Sequence, residues 1–326
     1  MSEISAFESK HFVIHTLAEG VFAAIATNGG HAICNAGLID LGGLVVVFDT
    51  FISPQAAVDL RRFALEQFGQ APQIVINSHY HNDHIWGNQV FAAEAQIISS
   101  VQTRQLIATE GMEEYKWYSS NSAQKLETLR TQYQNTQDKL QREELLLWMG
   151  EYGGVVEALP NLQVCLPNIT FDDRLELHGA RQTAQLTSFE KGHTSSDTIL
   201  YLPQAGVIFT SDLLFVACHP YLGDGDPFEL MHTLRELIRL DATCYVPGHG
   251  PVGTSADVKL LIEYIEGCIE TAQTLVESGN ANEERIKDLQ ISDRFRNWIV
   301  AQFYQTNIKF LCQRLSSVKA GTQSPG

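Results

Sequence analysis

The chain has 326 residues, of which 44% are hydrophobic and 9% aromatic, and its formal net charge is −16 at pH 7. This length and composition suffice for a globular protein with a large buried core. The strong negative charge disfavours nucleic acid and anionic membranes as partners, since both bind basic surfaces.

The cysteines and the N-terminal segment indicate the compartment. The six cysteines are scattered and include no C-x-x-C pair, which favours reduced, mostly buried thiols over disulfides or a cysteine-type zinc site. Residues 1–12 include Glu3, Glu8 and Lys10 and lack an apolar core, so no signal peptide is expected. No apolar run approaches the ~20 residues of a membrane helix. The prediction is a soluble cytoplasmic protein.

The first fifty residues predict an antiparallel sheet. Short apolar runs alternate with glycine-rich turns, a pattern typical of hairpins. The predicted strands cover residues 12–15, 21–25, 32–34 and 44–48. A helix is predicted over 54–69, where Pro54 stands near the start of an apolar pattern of helical spacing.

Strands then alternate with helical patterns up to residue 250, which indicates an α/β (α+β) fold. The further predicted strands cover residues 74–77, 96–98, 198–202, 207–210 and 244–246.

Two helical regions interrupt or follow this alternation. Residues 103–150 almost lack glycine and proline and place Leu126, Leu129, Tyr133 and Leu140 on one stripe, which predicts an inserted amphipathic helical hairpin. It either packs on the scaffold or forms a lid or a homodimer contact, and we favour the second interpretation. Residues 255–315 also appear helical in pattern, with Ser292 as a cap and Phe295, Trp298, Ile299 and Phe303 on one side.

A dense run of potential metal ligands follows the strand predicted at 74–77. The run Ser78-His-Tyr-His-Asn-Asp-His84 contains His79, His81, Asp83 and His84. In an extended segment alternate side chains share a side, so His79 and His81 can hold one cation. Asp83 and His84 fall where a helix is expected to begin and can turn toward a second cation. Imidazole suits zinc, iron, copper and nickel, and a carboxylate adds negative charge.

Three further candidates stand near predicted strand ends. They are His193 in Gly192-His-Thr194, Asp212 in Thr210-Ser-Asp212 and His249 in Gly248-His-Gly250. The adjacent glycines allow close backbone approach. In this assignment His79, His81 and His193 hold one metal, Asp83, His84 and His249 hold the other, and Asp212 bridges them. Two such metals lower the pKa of a shared water toward ~7, which gives a hydroxide nucleophile without a serine or cysteine.

These motifs, in this order, resemble the signature of the metallo-β-lactamase-fold superfamily over roughly residues 12–275. Asp49 in Val47-Phe-Asp-Thr50 matches the remaining motif, an acidic residue that orients a ligand. The resemblance implies a four-layer αββα sandwich with two divalent metals at one edge. We expect zinc, with iron or manganese as alternatives, and Asp83 and Asp212 as catalytic carboxylates. The predicted domains are the catalytic domain at 1–275 and a helical C-terminal extension at 276–326.

The resemblance implies a hydrolase of a small-molecule carbonyl substrate, either a thioester, a lactone, an ester or a cyclic amide. The superfamily also contains β-lactamases, ribonucleases and redox enzymes, and the ligand set alone does not separate them. An iron-dependent, persulfide dioxygenase-like activity is the alternative, although such mono-iron members use fewer ligands. A β-lactamase-like activity stays open as well, although secreted β-lactamases carry export signals. Lys309 and Arg314 form no glutathione-binding motif, so that specificity has no support in the sequence.

Several other residues invite a functional interpretation. His219 is either a loop histidine or part of the pocket wall, and Tyr80 and Trp86 either wall the site or pack in the core. Asp224 and Asp226 resemble a calcium loop only loosely, so we interpret them as turn residues.

Overall fold

The computed structural model describes residues 7–322, with side chains described up to residue 317. The N-terminal residues 1–6, including Glu3, and residues 323–326 lie outside the described range. The strands are β1 (Phe12–Ala18), β2 (Val21–Ala26), β3 (Ala36–Asp40), β4 (Val45–Phe48), β5 (Ile74–Ile76), β6 (Gln96–Ser100), β7 (Ile169–Phe171), β8 (Arg174–His178), β9 (Thr183–Phe189), β10 (Asp197–Leu202), β11 (Val207–Phe215) and β12 (Cys244–His249). The helices are α1 (Pro54–Phe68), α2 (Asn82–Ile85), α3 (Asn88–Phe91), α4 (Val101–Ala108), α5 (Glu110–Asn135), α6 (Lys139–Ala158), α7 (Pro227–Ile238), α8 (Ser255–Glu277), α9 (Glu283–Lys287) and α10 (Gln302–Thr322).

The strands form two sheets that face each other. The first has seven strands in the order β1 to β7, antiparallel through β4 and parallel from β4 onward. The second has five strands in the order β12-β11-β10-β9-β8, in which only the β11–β12 pair is parallel. Apolar side chains from both sheets, such as Val46 and Phe209, fill the space between them.

Helices cover the outer faces of both sheets. Helix α1 buries Leu60 and Phe63 against the first sheet, while Ser53 caps its start and Gly69, with φ 70°, ends it. Helices α7, α8 and α10 cover the second sheet, and Leu261 and Leu311 share that core. The layers are therefore α, β, β, α, which confirms the predicted metallo-β-lactamase-type sandwich.

The inserted helices confirm the predicted hairpin and extend it. Helices α5 and α6 pack against each other, and the region continues to Ala158 rather than stopping at 150. Leu126 is buried on its inner side, and Leu129, Tyr133 and Leu140 are half-buried. No helix within residues 7–322 is long and apolar enough to cross a membrane.

Two predicted elements are wrong. The strand expected at 32–34 lies instead at Ala36–Asp40, because Asn35 is held by side-chain hydrogen bonds to Ala26, Pro247 and Gly250 and Ile33 adopts φ 70°.

The helix expected to begin at Ser292 begins at Gln302. Residues 293–297 form turns, and Ile299 pairs with Cys218 in an isolated bridge before α10 begins. Strands β7, β8 and β9 were not predicted, because their polar, half-exposed residues lack the apolar runs of the other strands. The division at residue 275 stays a prediction, and Ile308 of α10 is buried in the same core as Ile265 of α8.

Candidate metal centre

The candidate centre lies where the ends of both sheets meet. Strands β4 and β5 are parallel neighbours, so Asp49 and the run beginning at Ser78 emerge at the same sheet edge. The second sheet contributes Asp212 from β11, His249 from the end of β12 and His193 from the loop after β9. All seven predicted ligands therefore come from segments that the topology brings to one edge.

The first donor set contains three imidazole nitrogens and one carboxylate oxygen. Nδ1 of His81 lies 3.1 Å from Nε2 of His79 and 3.2 Å from Nε2 of His193. Nε2 of His193 lies 3.3 Å from Oδ2 of Asp212. Ligands placed 2.0–2.1 Å from a tetrahedral cation stand about 3.3 Å apart, so this spacing fits a metal ion.

The second donor set shares Asp212 with the first. Nε2 of His84 lies 3.2 Å from Oδ1 of Asp212 and 3.4 Å from Oδ2 of Asp83. Nε2 of His249 lies 3.3 Å from Oδ2 of Asp83 and 3.4 Å from Oδ2 of Asp212. Asp212 is thus positioned between two groups of donors, as expected for a bridging carboxylate.

Two atoms of this cluster support a bound cation. Nε2 of His84 and Oδ1 of Asp212 are buried and have no hydrogen-bond partner. A buried polar atom without a partner is costly, and a metal ion would satisfy both atoms at once. The donor set therefore fits two cations, while the role of each residue as a ligand stays a prediction.

Asp49 connects the motifs beneath the cluster. Its Oδ2 accepts a hydrogen bond from Nδ1 of His84 at 2.8 Å and lies 2.8 Å from the hydroxyls of Ser78 and Ser211. Its Oδ1 accepts the backbone N–H of Ser78 at 2.8 Å. The contact with Nδ1 fixes the ring so that Nε2 of His84 faces the cluster, which fits the orienting role predicted for Asp49.

The three histidines of the first donor set are also held in place, each through its other ring nitrogen. Nδ1 of His79 contacts the hydroxyl of Ser78 at 2.9 Å, and Nδ1 of His193 contacts the carbonyl oxygen of Tyr221 at 3.1 Å. Nε2 of His81 lies 3.0 Å from Oδ2 of Asp224. Each ring is therefore fixed in orientation before any cation binds.

Asp224 lies in a turn, as predicted, but its side chain also contacts the cluster, which the sequence did not indicate. It lies beside His81, and Glu114 of α5 joins these two residues in a further group of potential donors. No local pattern marks either residue, because Asp224 stands in a Gly-Asp-Gly-Asp turn and Glu114 lies in an amphipathic helix. Asp226 is not part of the cluster; it caps α7 by accepting the N–H of Phe228.

The electrostatics of the cluster favour positive charge. Burial lowers the pKa of His193 to about 4 and that of His79 well below its ordinary value, so both rings are neutral with a free lone pair. Burial also lowers the pKa of His249, but the carboxylates of Asp212 and Asp83 outweigh it and raise that pKa to about 10. When no cation is bound, the ring of His249 therefore carries a proton at neutral pH.

A cavity of about 450 Å³ opens beside the cluster. The inserted helices, the segment before α10 and the first turn of α10 form much of its wall, through Trp117, Tyr118, Leu147, Trp148, Glu151, Tyr152, Ile299, Val300 and Phe303. The floor includes His81, Asp83, His193, Asp212 and His249. The insert therefore lines the cavity beside the candidate centre, and its role as a lid stays a prediction.

The remaining candidates lie outside the metal cluster. His219 is buried, and its Nδ1 lies 2.9 Å from the hydroxyl of Tyr264 in the core beneath α8 and α10. Trp86 is fully buried and packs against Tyr115 and Tyr118 of the insert. Tyr80 is buried too, and its hydroxyl lies 3.4 Å from Oδ2 of Asp224. All six cysteines are free, and four of them are buried.

Comparison with known sequences identifies distant relatives. Hydroxyacylglutathione hydrolase from Brucella ovis is 31% identical over 99 residues, which are 30% of this chain and 34% of that protein. The protein of the same name from Brucella abortus (strain 2308) matches to the same extent. The match thus spans about a third of the length of these curated relatives.

Solved structures resemble this chain over a longer range. A metallo-beta-lactamase from Pontibacter korlensis has a TM-score of 0.55 at 17% identity and covers 78% of this chain and 99% of its own. One from Hirschia baltica has a TM-score of 0.56 at 12% identity, with 78% and 98% covered. At these identities the likeness concerns the fold.

The model of one protein family matches the part of the chain that contains Asp49 and all seven candidate ligands. It is described as the metallo-beta-lactamase superfamily, and it matches residues 29–249, well over half of the chain. This chain therefore belongs to the metallo-β-lactamase superfamily.

Proposed function

We propose that this chain is a hydrolase that binds two divalent cations, with zinc as the first candidate, and cleaves a small carbonyl compound. The substrate would be a thioester, a lactone, an ester or a cyclic amide. The observation that carries this proposal is the pair of overlapping donor sets joined by Asp212, in which neighbouring donor atoms lie 3.1 to 4.0 Å apart. Imidazole and carboxylate donors at this spacing suit zinc, and iron or manganese would also fit them.

The cations would supply an activated water and a Lewis acid for the carbonyl oxygen. The protein contributes the arrangement around them. Asp212 holds the two donor sets at a fixed separation, and Asp49 orients His84. Asp224 orients His81 in the same way. The apolar cavity walls would shield a bound substrate from water and so strengthen the electrostatic interactions beside the cluster.

The relatives support the same class of chemistry. The name hydroxyacylglutathione hydrolase describes cleavage of an acyl derivative of glutathione by those proteins. We take from them the reaction on a carbonyl group and not the glutathione part. We also propose a cytoplasmic location, supported by the free, scattered cysteines.

The proposal is tested with zinc-loaded protein and a panel of a thioester, a lactone, an aryl ester, a β-lactam and a phosphodiester. We expect hydrolysis of at least one carbonyl substrate and loss of more than about 100-fold in kcat/KM for His81→Ala and Asp212→Ala. His178→Ala is the matched control, because His178 is exposed on β8 and lies in neither donor set.

Two results would contradict the proposal. One is a zinc-loaded protein that cleaves no carbonyl substrate, and the other is an Asp212→Ala variant that keeps full activity. Preferential cleavage of the phosphodiester would contradict the proposed substrate class but not the proposed metal centre.

A further inference from the structure

The cavity beside the candidate centre has an unusual charge distribution. Within the described residues, no lysine or arginine lines it. The acidic side chains that line it are Asp83, Glu114, Glu151, Asp212 and Asp224. Asp83 and Asp212 belong to the donor sets, where cations would neutralise them. Of the other three carboxyl groups, Asp224 contacts His81, while Glu114 and Glu151 have no lysine or arginine partner.

The walls away from the cluster are mostly apolar. Trp117 and Trp148 come from the two inserted helices, and Phe303 packs against Trp148 with their ring centroids 6.0 Å apart. A cavity of this size and composition is typical of sites for largely apolar small molecules. An alkyl or aromatic group of the substrate would bury its surface here.

Glu151 places a polar group in this apolar wall. It is 4% exposed, and its Oε1 accepts a hydrogen bond from the hydroxyl of Tyr118 at 2.6 Å. Burial raises the pKa of Glu151 to about 8, so the carboxyl group is mostly protonated at pH 7. A neutral carboxyl group offers a hydrogen bond to an uncharged polar atom and no counter-charge to an anion.

We infer that the cavity accepts a neutral, largely apolar carbonyl compound and rejects one with an anionic group away from the bond that is cleaved. An anion there would lose its hydration and meet carboxyl groups where a cation is needed. Glutathione thioesters, which carry free carboxylates, are therefore poor substrates. This inference rests on the proposed function for the reaction itself, but the selectivity is a property of the cavity.

The test uses two ligands of equal size that cannot be hydrolysed. N-acetyl-S-octylglutathione carries two carboxylates, and its diamide replaces both with neutral amides. Both are thioethers, so binding to the zinc-loaded protein is measured by calorimetry without any turnover. We expect the diamide to bind at least about tenfold more tightly, because the cavity lining has no lysine or arginine to pair with the carboxylates of the other ligand.

A pair of variants assigns the preference to the cavity. Trp117→Arg adds a cation at the rim, where the side chain is 44% exposed and tolerates substitution. We expect it to narrow the tenfold ratio to about threefold or less. Phe228→Arg is the matched control, because Phe228 is 41% exposed on α7 and does not line the cavity. It should leave the ratio unchanged.

Equal binding of the two ligands by the parent protein, or tighter binding of the dicarboxylate, would overturn the inference. An equal change of the binding ratio in Trp117→Arg and Phe228→Arg would also overturn it, because the net charge of the protein rather than the lining of the cavity would then determine the preference. If no substrate of the panel is cleaved but the diamide still binds more tightly, the proposed function fails while the selectivity stands.

Discussion

Asp212 and Gly248 lie in very close contact at the centre of the cluster. A Cβ atom on Gly248 would lie 1.7 Å from Oδ1 of Asp212, which is far inside contact distance. The carboxylate of Asp212 therefore leaves room only for glycine at position 248. Any side chain there would displace Asp212, which joins the two donor sets.

The substitution Gly248→Ala is expected to lower zinc affinity by at least about tenfold, the range seen when ligand positioning is lost. Equilibrium dialysis against zinc measures the change. Gly267→Ala is the control, since a Cβ there meets nothing within 4 Å and the residue lies in an exposed turn of α8. Alanine should stabilise that helix slightly. Unchanged zinc affinity in Gly248→Ala would contradict the steric account.

Asp224 holds the ring of His81 from outside the two donor sets that share Asp212. Replacing it with asparagine keeps the shape but removes the negative charge beside Nε2 of His81. We expect zinc affinity to fall about 10-fold to 100-fold, with kcat reduced in proportion to metal occupancy. Asp241→Asn, on the exposed surface before β12, is the control. Equal affinity in both variants would show that Asp224 does not position His81.

Glu151 predicts a particular dependence of stability on pH. Its pKa rises in the folded chain from the ordinary value of 4.5 to about 8, chiefly through burial. The protonated form therefore stabilises the fold fully below pH 4.5, and this stabilisation is lost as the pH rises through about 8. The groups that act on Glu151 are Tyr118, which contacts it, and the more distant Asp83, Glu114 and His249.

The Glu151→Gln variant cannot ionise at this position. In protein treated with a chelator, its Tm relative to the parent should therefore rise between pH 5 and pH 8. Glu143→Gln, on the outer side of the same helix, should follow the parent throughout. A constant difference between Glu151→Gln and the parent would show that Glu151 does not titrate in this range.

Sequence patterns predict the residues that form the cluster better than the residues around it. The run from His79 to His84 is dense enough to indicate a metal site, and Asp49, His193, Asp212 and His249 follow from the motif order. Asp224 and Glu114 could not be found in this way. Both reach the site through tertiary packing of a loop and an inserted helix, which leaves no mark on the local sequence.

At the scale of elements, helix α6 positions the cavity wall by packing closely on the turn after β2. A Cβ on Gly150 would lie 2.3 Å from the carbonyl oxygen of Gly30, and one on Gly154 would lie 2.8 Å from Cβ of His31. These glycines lie one turn apart on the same face of the helix. Their lack of a side chain lets α6 bring Glu151 to the cavity.

The substitution Gly150→Ala is expected to push α6 away from this turn and lower the stability by about 1–3 kcal/mol, the usual cost of overpacking. KM should rise because the cavity wall moves. Gly153→Ala is the control on the same helix, since its Cβ would meet Nε2 of His31 at an ordinary 3.6 Å. Thermal unfolding and steady-state kinetics measure both effects. An equal response of the two variants would exclude close packing of α6 as the cause.

The predicted elements succeed where hydrophobicity is strong and fail where it is weak. The strands β4, β5 and β6 are buried and continuous, so their apolar runs are easily recognised. Strand β8 alternates exposed and half-buried residues at the edge of its sheet, and its sequence looks like a loop. The sequence pattern places the start of α10 too early. Phe295 and Trp298 have the spacing of a helical stripe, but Phe295 lies half-buried in a turn and Trp298 lies buried directly after it.

At the scale of the whole molecule, the candidate centre joins the two sheets. His79, His81, Asp83 and His84 follow β5 of the first sheet. Asp212, His249 and His193 come from β11, β12 and the loop after β9 of the second sheet. Bound cations would therefore connect the two halves of the sandwich. The homodimer through the insert stays a prediction, which light scattering can measure.

Removal of metal is expected to destabilise the whole fold. At free zinc about 1,000-fold above the Kd, a single bound ion contributes about 4 kcal/mol. A chelator should therefore lower Tm by several degrees, and added zinc should restore it. Asp212→Ala should respond more weakly to both treatments, because each donor set then lacks one donor. A chelator response of equal size in that variant would place the stabilising metal elsewhere.

The number of zinc ions bound per chain tests the two-cation account most directly. Protein stripped of metal is equilibrated with excess zinc, freed of unbound ions by gel filtration and analysed by mass spectrometry for zinc and by amino-acid analysis for protein. The two donor sets around Asp212 predict two zinc ions per chain. One ion or none per chain would contradict the account.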